Sequence, residues 1–88
     1  MVKNNNFRNY LDISTSHVPS NDPDFGDVRV EEHGPEEDRY GWIVWVADGF
    51  RPAKWLAPLW EEARRRDCSL ILFDRDADQL DGFKIYDW

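Results

Sequence analysis

The sequence predicts an α+β fold, with a small antiparallel or mixed sheet of four to five strands and one helix packed on a face. Several short segments alternate in polarity or are apolar throughout, as strands do, and one segment carries apolar residues at helical spacing. Their order along the chain is strand, weak strand, strong strand, helix, strand, strand. The 88 residues suit one small domain, 1–88.

The strands are predicted from these patterns. Residues 10–15 alternate, and residues 27–31 alternate more weakly and suit an edge strand. Residues 40–47 are apolar on both faces and rich in aromatic and β-branched side chains, which is typical of a central strand. One side of this strand should meet the helix, and the other must be covered by loops or by a partner. Residues 1–6 are polar and are expected to be a frayed end.

Residues 52–66 predict the helix, because their apolar residues form one stripe at helical spacing. The stripe consists of Trp55, Leu56, Leu59, Trp60 and Ala63. Pro58 conflicts with a helix interior, so we expect either a regular helix from about Leu56 with Pro58 in its first turn, or a kink. Trp55, Leu59 and Trp60 should pack on the 40–47 strand. The helix could also form one right-handed parallel crossover between the strands that it joins.

The last twenty residues predict a hairpin. Residues 70–73 are an apolar run, and residues 83–86 alternate as a half-buried strand does. Asp81-Gly82 lies between them and favours the positive φ of a tight turn. We therefore expect two adjacent antiparallel strands.

Composition limits the classes of function. A net charge of −7 disfavours direct nucleic-acid binding, and the basic run Arg64, Arg65, Arg66 is explained by the negative end of the helix dipole. The single cysteine, Cys68, leaves no internal disulfide and suits the reducing cytoplasm. No apolar stretch is long enough to predict a membrane span.

The acidity is regional. Between positions 22 and 38 there are eight acidic residues and one basic residue, Arg29, a difference equal to the net charge of the whole chain. Three further aspartates alternate after the 70–73 strand. The predicted partner-binding residues are Asp22, Asp24, Asp27, Glu31, Glu32, Glu36, Glu37, Asp38, Asp74, Asp76 and Asp78.

The alternating aspartates have the opening spacing of a calcium loop, at positions 1, 3 and 5. Gln79 stands where that loop needs glycine, and Ile85 where it needs glutamate, so an EF-hand is excluded on this register. A looser divalent site that includes Asp81 is an alternative. A solvated turn with no specific metal or cofactor is the prediction.

A Ser-His-Asp set could nominally be drawn from His17, His33, the serines near residue 15 and the aspartates. The sequence has no nucleophile elbow and no glycine-rich oxyanion loop, so we predict no enzyme. His17 is expected to cap a strand end through nearby hydroxyls. Cys68 is expected to be an inert, partly buried thiol.

Four segments carry a resemblance to a known family: 12–17 (DISTSH), 40–45 (YGWIVW), 73–82 (FDRDADQLDG) and 86–88 (YDW). With them the chain resembles short bacterial proteins of unknown function carried on plasmids, prophages and genomic islands. The acidic region has no counterpart in this resemblance. The resemblance implies a setting, which is mobile DNA that faces host defence. It implies no catalytic residues.

Setting and charge together predict a stoichiometric inhibitor of a host defence nuclease complex, of the anti-CRISPR or anti-restriction type. Its carboxylates would occupy a basic nucleic-acid-binding surface as a DNA mimic. The alternative is an accessory or antitoxin-like module that binds a co-encoded protein through aromatic residues. A metal-dependent enzyme is the third hypothesis.

Overall fold

The computed structural model describes residues 2–4, 9–35 and 40–87. Within them lie seven strands, one α-helix and one short 3₁₀ helix, Thr15–His17. The strands are β1 (Val2–Asn4), β2 (Asn9–Ser14), β3 (Gly26–Asp27), β4 (Arg29–His33), β5 (Gly41–Trp45), β6 (Arg51–Pro52) and β7 (Leu70–Asp74). The α-helix is α1 (Ala57–Arg65). No helix in this described part is long and apolar enough to cross a membrane.

A five-stranded mixed sheet organises the molecule, in the order β1-β2-β7-β5-β4. The central strand β7 pairs in parallel with β2 and antiparallel with β5. A separate pair, β3 and β6, forms a small antiparallel sheet. The predicted α+β class, with a mixed sheet and one α-helix in the described residues, is confirmed.

The register sets the two ends of the sheet. Tyr10, Leu70, Trp45 and Arg29 lie side by side at one end. Ser14, Asp74, Gly41 and His33 lie side by side at the other end. Because side chains alternate along a strand, the residues of these two rows share one face of the sheet.

The opposite face carries the core. Its buried side chains are Leu11 and Ile13 of β2, Trp42 and Val44 of β5, and Ile71 and Phe73 of β7. Helix α1 buries Leu59, Trp60 and Ala63 against this cluster. Burial of a large apolar side chain stabilises by about 1.5–3 kcal/mol, so this face supplies most of the hydrophobic stabilisation.

The predicted stripe does bury against the sheet. Leu59 and Trp60 are buried, and Trp55 is half-buried. The centroid of the Trp55 ring lies 5.2 Å from the ring centroid of Phe25 and 6.2 Å from that of Phe73. The cluster that these side chains join includes Trp42, Val44 and Val46 of the predicted 40–47 strand together with Ile71 and Phe73 of β7. The strand β7 is the middle one of the five, between β2 and β5.

The helix begins as the first alternative predicted. It starts at Ala57 with Pro58 in its first turn, where a missing N–H costs no intrahelical hydrogen bond. Residues 52–56 are not helical, because 51–52 pair with 26–27 as β6. The helix ends with Asp67 at φ 58° and with the Cys68 N–H donating to the Ala63 carbonyl at 2.8 Å, as in a Schellman motif.

The predicted C-terminal hairpin is wrong. Gly82 does have positive φ, 87°, but residues 83–86 form no strand. The Tyr86 N–H donates instead to the carbonyl of Ser16, at 2.7 Å. Since β2 and β5 take both edges of β7, no edge is left for a returning strand.

Two connections also differ from expectation. The strands that the helix joins, β5 and β7, are antiparallel, so the helix makes no parallel crossover. The parallel pair is β2 and β7, which are far apart in sequence. Residues 2–4 of the expected frayed end form β1, which covers the free edge of β2; the rest of that end lies outside the described residues.

Gly41 is required by close packing at the sheet, which gives a stability prediction. A Cβ at this position would collide with the backbone carbonyl oxygen of Phe73 on the neighbouring strand. Gly41→Ala should therefore lower the free energy of unfolding by about 3 kcal/mol or more, measured by urea denaturation. Gly82→Ala is the control, because a Cβ there meets open space and costs only the positive φ, about 1–2 kcal/mol. Equal costs for the two substitutions would contradict the packing argument.

Candidate interaction surface

The edge strand β4 carries exposed carboxylates. Glu31 and Glu32 are both exposed and, as successive strand residues, point to opposite faces. Arg29 Nη2 lies 3.8 Å from Glu31 Oε1, with the two side chains 61% and 59% exposed. An exposed pair of this kind stabilises by about 0–1 kcal/mol, so a partner cation can compete for Glu31.

The alternating aspartates form a turn after β7. Asp74 Oδ1 accepts a hydrogen bond from the Asp76 N–H at 2.9 Å, and the Asp74 carbonyl accepts one from the Ala77 N–H at 3.0 Å. The Asp78 carbonyl accepts from the Ser14 N–H at 3.0 Å, which ties the turn to β2. The side chains of Asp76 and Asp78 are exposed. Among the described residues, no group of three or more acidic, histidine or cysteine side chains could hold a metal ion.

Three predicted partner-binding aspartates precede β4 in the sequence. Asp22, Asp24 and Asp27 are exposed in the loop and short strand before β4. Asp24 Oδ1 accepts from the Gly26 N–H at 2.9 Å. Asp27 precedes the Arg29 end of β4, whereas Asp74 lies in register with the other end, about 13 Å away along the strand.

The predicted residues therefore do not form one cluster. Of the described ones, Asp27, Glu31 and Glu32 lie at the β4 edge, whereas Asp74, Asp76 and Asp78 lie at the end of β7 and in the turn after it, and β5 separates β7 from β4. Glu36, Glu37 and Asp38 lie outside the described residues. The acidic edge, as we name the set Asp27, Glu31, Glu32, Asp74, Asp76 and Asp78, is not a compact site.

The face of the sheet opposite α1 has an apolar centre within a polar surround, which consists of Asp12, Ser14, Arg29, Glu31, His33 and Asp74. Half-buried large side chains occupy the centre, and we call their surface the open face. They are Tyr10, Ile43, Trp45, Leu70 and Leu72. None of them belongs to the core cluster or to the partly buried side chains packed against it in the described structure. The open face is thus a second apolar surface, flanked by the acidic edge.

Sequence reasoning found only part of this surface. The two apolar faces of the 40–47 strand indicated that one would need a cover of loops or a partner, but the sequence did not decide which one; the structure shows that it is the face of Ile43 and Trp45. Tyr10, Leu70 and Leu72 were missed as surface residues. Their place beside β5 depends on strand pairing over long sequence separations, for which the local pattern gives no signal.

His17 fixes the C-terminal segment, residues 80–86, to one end of the sheet. It is 1% exposed, and its Nε2 accepts a hydrogen bond from the Leu80 N–H at 2.8 Å. Its Nδ1 lies 2.8 Å from the Lys84 carbonyl oxygen, to which it donates, since Nε2 is the acceptor. The expected cap through neighbouring hydroxyls is therefore wrong: the partners are backbone groups more than sixty residues away.

The histidines and serines do not assemble a nucleophile and base in the described structure. Both ring nitrogens of His17 are engaged by backbone groups. His33 Nε2 lies 3.6 Å from Asp74 Oδ2 at the sheet surface. The Ser14 hydroxyl instead accepts from the N–H and the hydroxyl of Ser16, at 3.1 and 3.0 Å.

The basic run at the helix end is committed to the protein's own carboxylates. Arg64 Nη1 lies 2.8 Å from Asp48 Oδ1, and Arg65 and Arg66 both bond the carboxylate of Glu62. Hydrogen bonds from Arg65 and then Arg66 lower the pKa of Glu62 from 4.5 to about 2.

Cys68 is buried, and desolvation raises the pKa of its thiol. It lines a pocket of about 320 Å³ between the end of β5 and the helix C-terminus. The Arg64–Asp48 pair lies at this pocket. A thiol with a raised pKa is a poor nucleophile at neutral pH, as the inert interpretation of Cys68 requires.

Removal of the His17 imidazole should loosen the C-terminal segment. His17→Ala leaves the Leu80 N–H and the Lys84 carbonyl without this partner and opens a cavity. The free energy of unfolding should fall by about 2–5 kcal/mol, with faster amide hydrogen exchange at residues 80–86. His33→Ala, at a partly exposed contact with Asp74, should change either quantity little. Similar effects of the two substitutions would refute the anchoring role.

Glu62 gives a pH dependence with a defined sign. Its pKa is lower in the folded state, so its contribution to stability is present above about pH 4.5 and is lost as pH falls toward 2. The destabilisation caused by Glu62→Gln at neutral pH should therefore shrink across that window, in denaturant titrations at several pH values. Glu61→Gln is the control, because Glu61 is exposed on the same helix turn. A Glu62→Gln effect independent of pH would count against the arginine contacts.

Comparison with known proteins places the chain in a family. No curated protein and no solved structure matches it. Residues 10–88 match a family of unknown function, DUF5983, over its C-terminal domain. The match covers β2 to the C-terminal segment, and so both the open face and the acidic edge. The chain belongs to the DUF5983 family.

Proposed function

We propose that this protein is a stoichiometric, protein-binding inhibitor of a host defence nuclease complex in the bacterial cytoplasm, of the anti-CRISPR or anti-restriction type. It acts as a DNA mimic that occupies a basic nucleic-acid-binding surface. The observation that carries the proposal is the acidic edge, where the exposed carboxylates of Asp27, Glu31 and Glu32 lie at β4 and those of Asp76 and Asp78 lie in the turn after β7.

Charge distribution supports this proposal. The net charge is −7, and the basic run of α1 is paired internally with Glu62 and Asp48. These three arginines and two carboxylates together leave one positive charge, so the rest of the chain remains strongly negative and attracts a positively charged partner. Exposed carboxylates of this kind raise the association rate more than they strengthen the final complex.

The resemblance to short proteins of plasmids, prophages and genomic islands supports the setting. Mobile DNA meets host nucleases, and a small acidic inhibitor suits that encounter. The geometry around His17 and Ser14 offers no nucleophile–base pair, so a binding role fits the described residues better than hydrolysis.

The open face favours a second candidate, an accessory or antitoxin-like module that binds a co-encoded protein without nucleic-acid mimicry. Such a module would use apolar contacts, and its association would depend weakly on salt. Salt dependence therefore separates the two candidates.

Neutralising the two β4 glutamates of the acidic edge together with the acidic residues at 36–38 should slow association with the target. The variant replaces Glu31, Glu32, Glu36, Glu37 and Asp38 with the corresponding amides. Against purified effector and restriction complexes, the association rate should fall about tenfold or more at low salt and less at high salt, with a smaller change in dissociation. Binding kinetics at two salt concentrations, together with a gel-shift competition against nucleic acid, measure this.

The matched control removes the same number of charges elsewhere on the surface. It replaces five exposed residues outside the predicted set: Asp48, Glu61, Asp67, Asp81 and Asp87. If both variants slow association equally, net charge alone is responsible. If neither variant changes the association rate and that rate does not depend on salt, the DNA-mimic proposal is contradicted and the second candidate is favoured.

A further inference from the structure

The open face has the dimensions of a helix-binding surface. Its apolar side chains lie mainly on the neighbouring strands β5 and β7, in two rows: Trp45 beside Leu70, and Ile43 beside Leu72. Rows on one face of a strand are about 6.8 Å apart, close to the rise of about 6 Å between residues i and i+4 of a helix. A helix laid along these strands can therefore place successive apolar residues on successive rows.

The face already holds a guanidinium of the chain itself. Arg29 Cζ lies 4.3 Å from the centroid of the Trp45 ring, and the same guanidinium is 3.8 Å from the Glu31 carboxylate. An indole face beside a carboxylate is a favourable environment for a guanidinium. Arg29 is 61% exposed at its side chain, so this intramolecular contact is easily exchanged.

A similar contact occurs near the other end of the sheet. Arg75 Cζ lies 4.3 Å from the centroid of the Tyr40 ring, beside the Asp74 turn. Arginine–aromatic contacts beside carboxylates thus occur near both ends of the sheet. Two chains that each carry a charge of −7 repel, which disfavours a second copy as the occupant and favours a basic one.

We infer that the open face is the docking surface for an arginine-bearing amphipathic helix of the partner protein. The apolar stripe of that helix contacts Ile43, Trp45, Leu70 and Leu72, and one arginine replaces Arg29 on Trp45 and Glu31. The inference rests on the proposed function for the basic character of the partner. It adds an apolar anchor, which holds the complex, to the acidic edge, which accelerates its formation.

A synthetic peptide tests this surface directly. The probe has about 18 residues, with leucine at helical spacing on one face and arginine on the other. A second peptide has glutamate in place of arginine, and a third has the leucine and arginine order scrambled. Binding is measured by fluorescence anisotropy, and the contact surface is mapped by amide and indole chemical shifts.

The wild-type protein should bind the arginine peptide about tenfold or more tightly than either control peptide, with shifts centred on the Trp45 indole and on β5 and β7. Ile43→Thr combined with Leu72→Thr should weaken binding about tenfold or more, because the apolar rows are removed. Ile85→Thr is the matched control: Ile85 is 49% exposed but lies on the C-terminal segment. Unfolding midpoints of all variants establish that they fold.

Arg29→Ala separates this inference from a general charge effect. It frees Trp45 and Glu31 and should tighten binding of the arginine peptide several-fold. Arg51→Ala makes the same change in net charge at an exposed residue of β6 and should tighten it less. Equal effects of the two substitutions would overturn the exchange of arginines.

Three outcomes overturn the docking surface: chemical shifts confined to the aspartate turn, equal affinity for the scrambled peptide, or unchanged binding by the Ile43→Thr, Leu72→Thr variant. If that variant still competes with nucleic acid on a nuclease complex as the wild type does, the inference fails and the proposed function stands. If the peptide binds on the open face but no complex is inhibited, the proposed function fails and the docking surface is supported.

Discussion

A nine-residue helix cannot cover both faces of a five-stranded sheet, and the rest of the structure depends on this limit. The helix is about 13.5 Å long, whereas five strands span about 19 Å. It packs over the central strand, where Leu59, Trp60 and Ala63 complete the core. The apolar side chains of the other face stay half-buried, and this is the origin of the open face.

Loop residues cover the part of the core face that α1 leaves uncovered. Phe25 contributes an aromatic ring to the core, and the Trp55 indole donates to the carbonyl of Asp24 at 2.7 Å, which holds that loop in place. At the other end, His17 bonds the C-terminal segment, so that Leu80 and Phe83 pack against the core. The buried imidazole therefore links sequence ends that no strand pairing joins.

The elements that the sequence predicts well are those with local signals. The 40–47 strand and the helix with Pro58 in its first turn follow from composition and periodicity, and both are present. The 83–86 strand fails because a turn with positive φ at Gly82 specifies a local bend, but not the partner of the segment that follows. The hairpin needed a free edge of β7, but β2 pairs with one edge of that strand and β5 with the other.

The candidate site shows the same division. Exposed charge is visible in the sequence, and Glu31, Glu32, Asp76 and Asp78 are indeed exposed. The separation of Asp27 from Asp74 was not predictable, because it depends on which strands pair and which strand ends lie together. The same holds for the contact of Arg29 with Trp45, which requires the antiparallel register of β4 and β5.

The central claim is that the face of the sheet opposite α1 is accessible and available to a partner. Thiol labelling measures this most directly: Leu72→Cys is placed in a Cys68→Ala background, which leaves one thiol, and its reaction rate is compared with that of the native Cys68, which is 4% exposed. The account predicts that the thiol at position 72 reacts about tenfold or more faster in the folded protein, because opening of the structure is not required. A thiol at position 72 as slow as Cys68 would show that the face is covered, and would contradict the account.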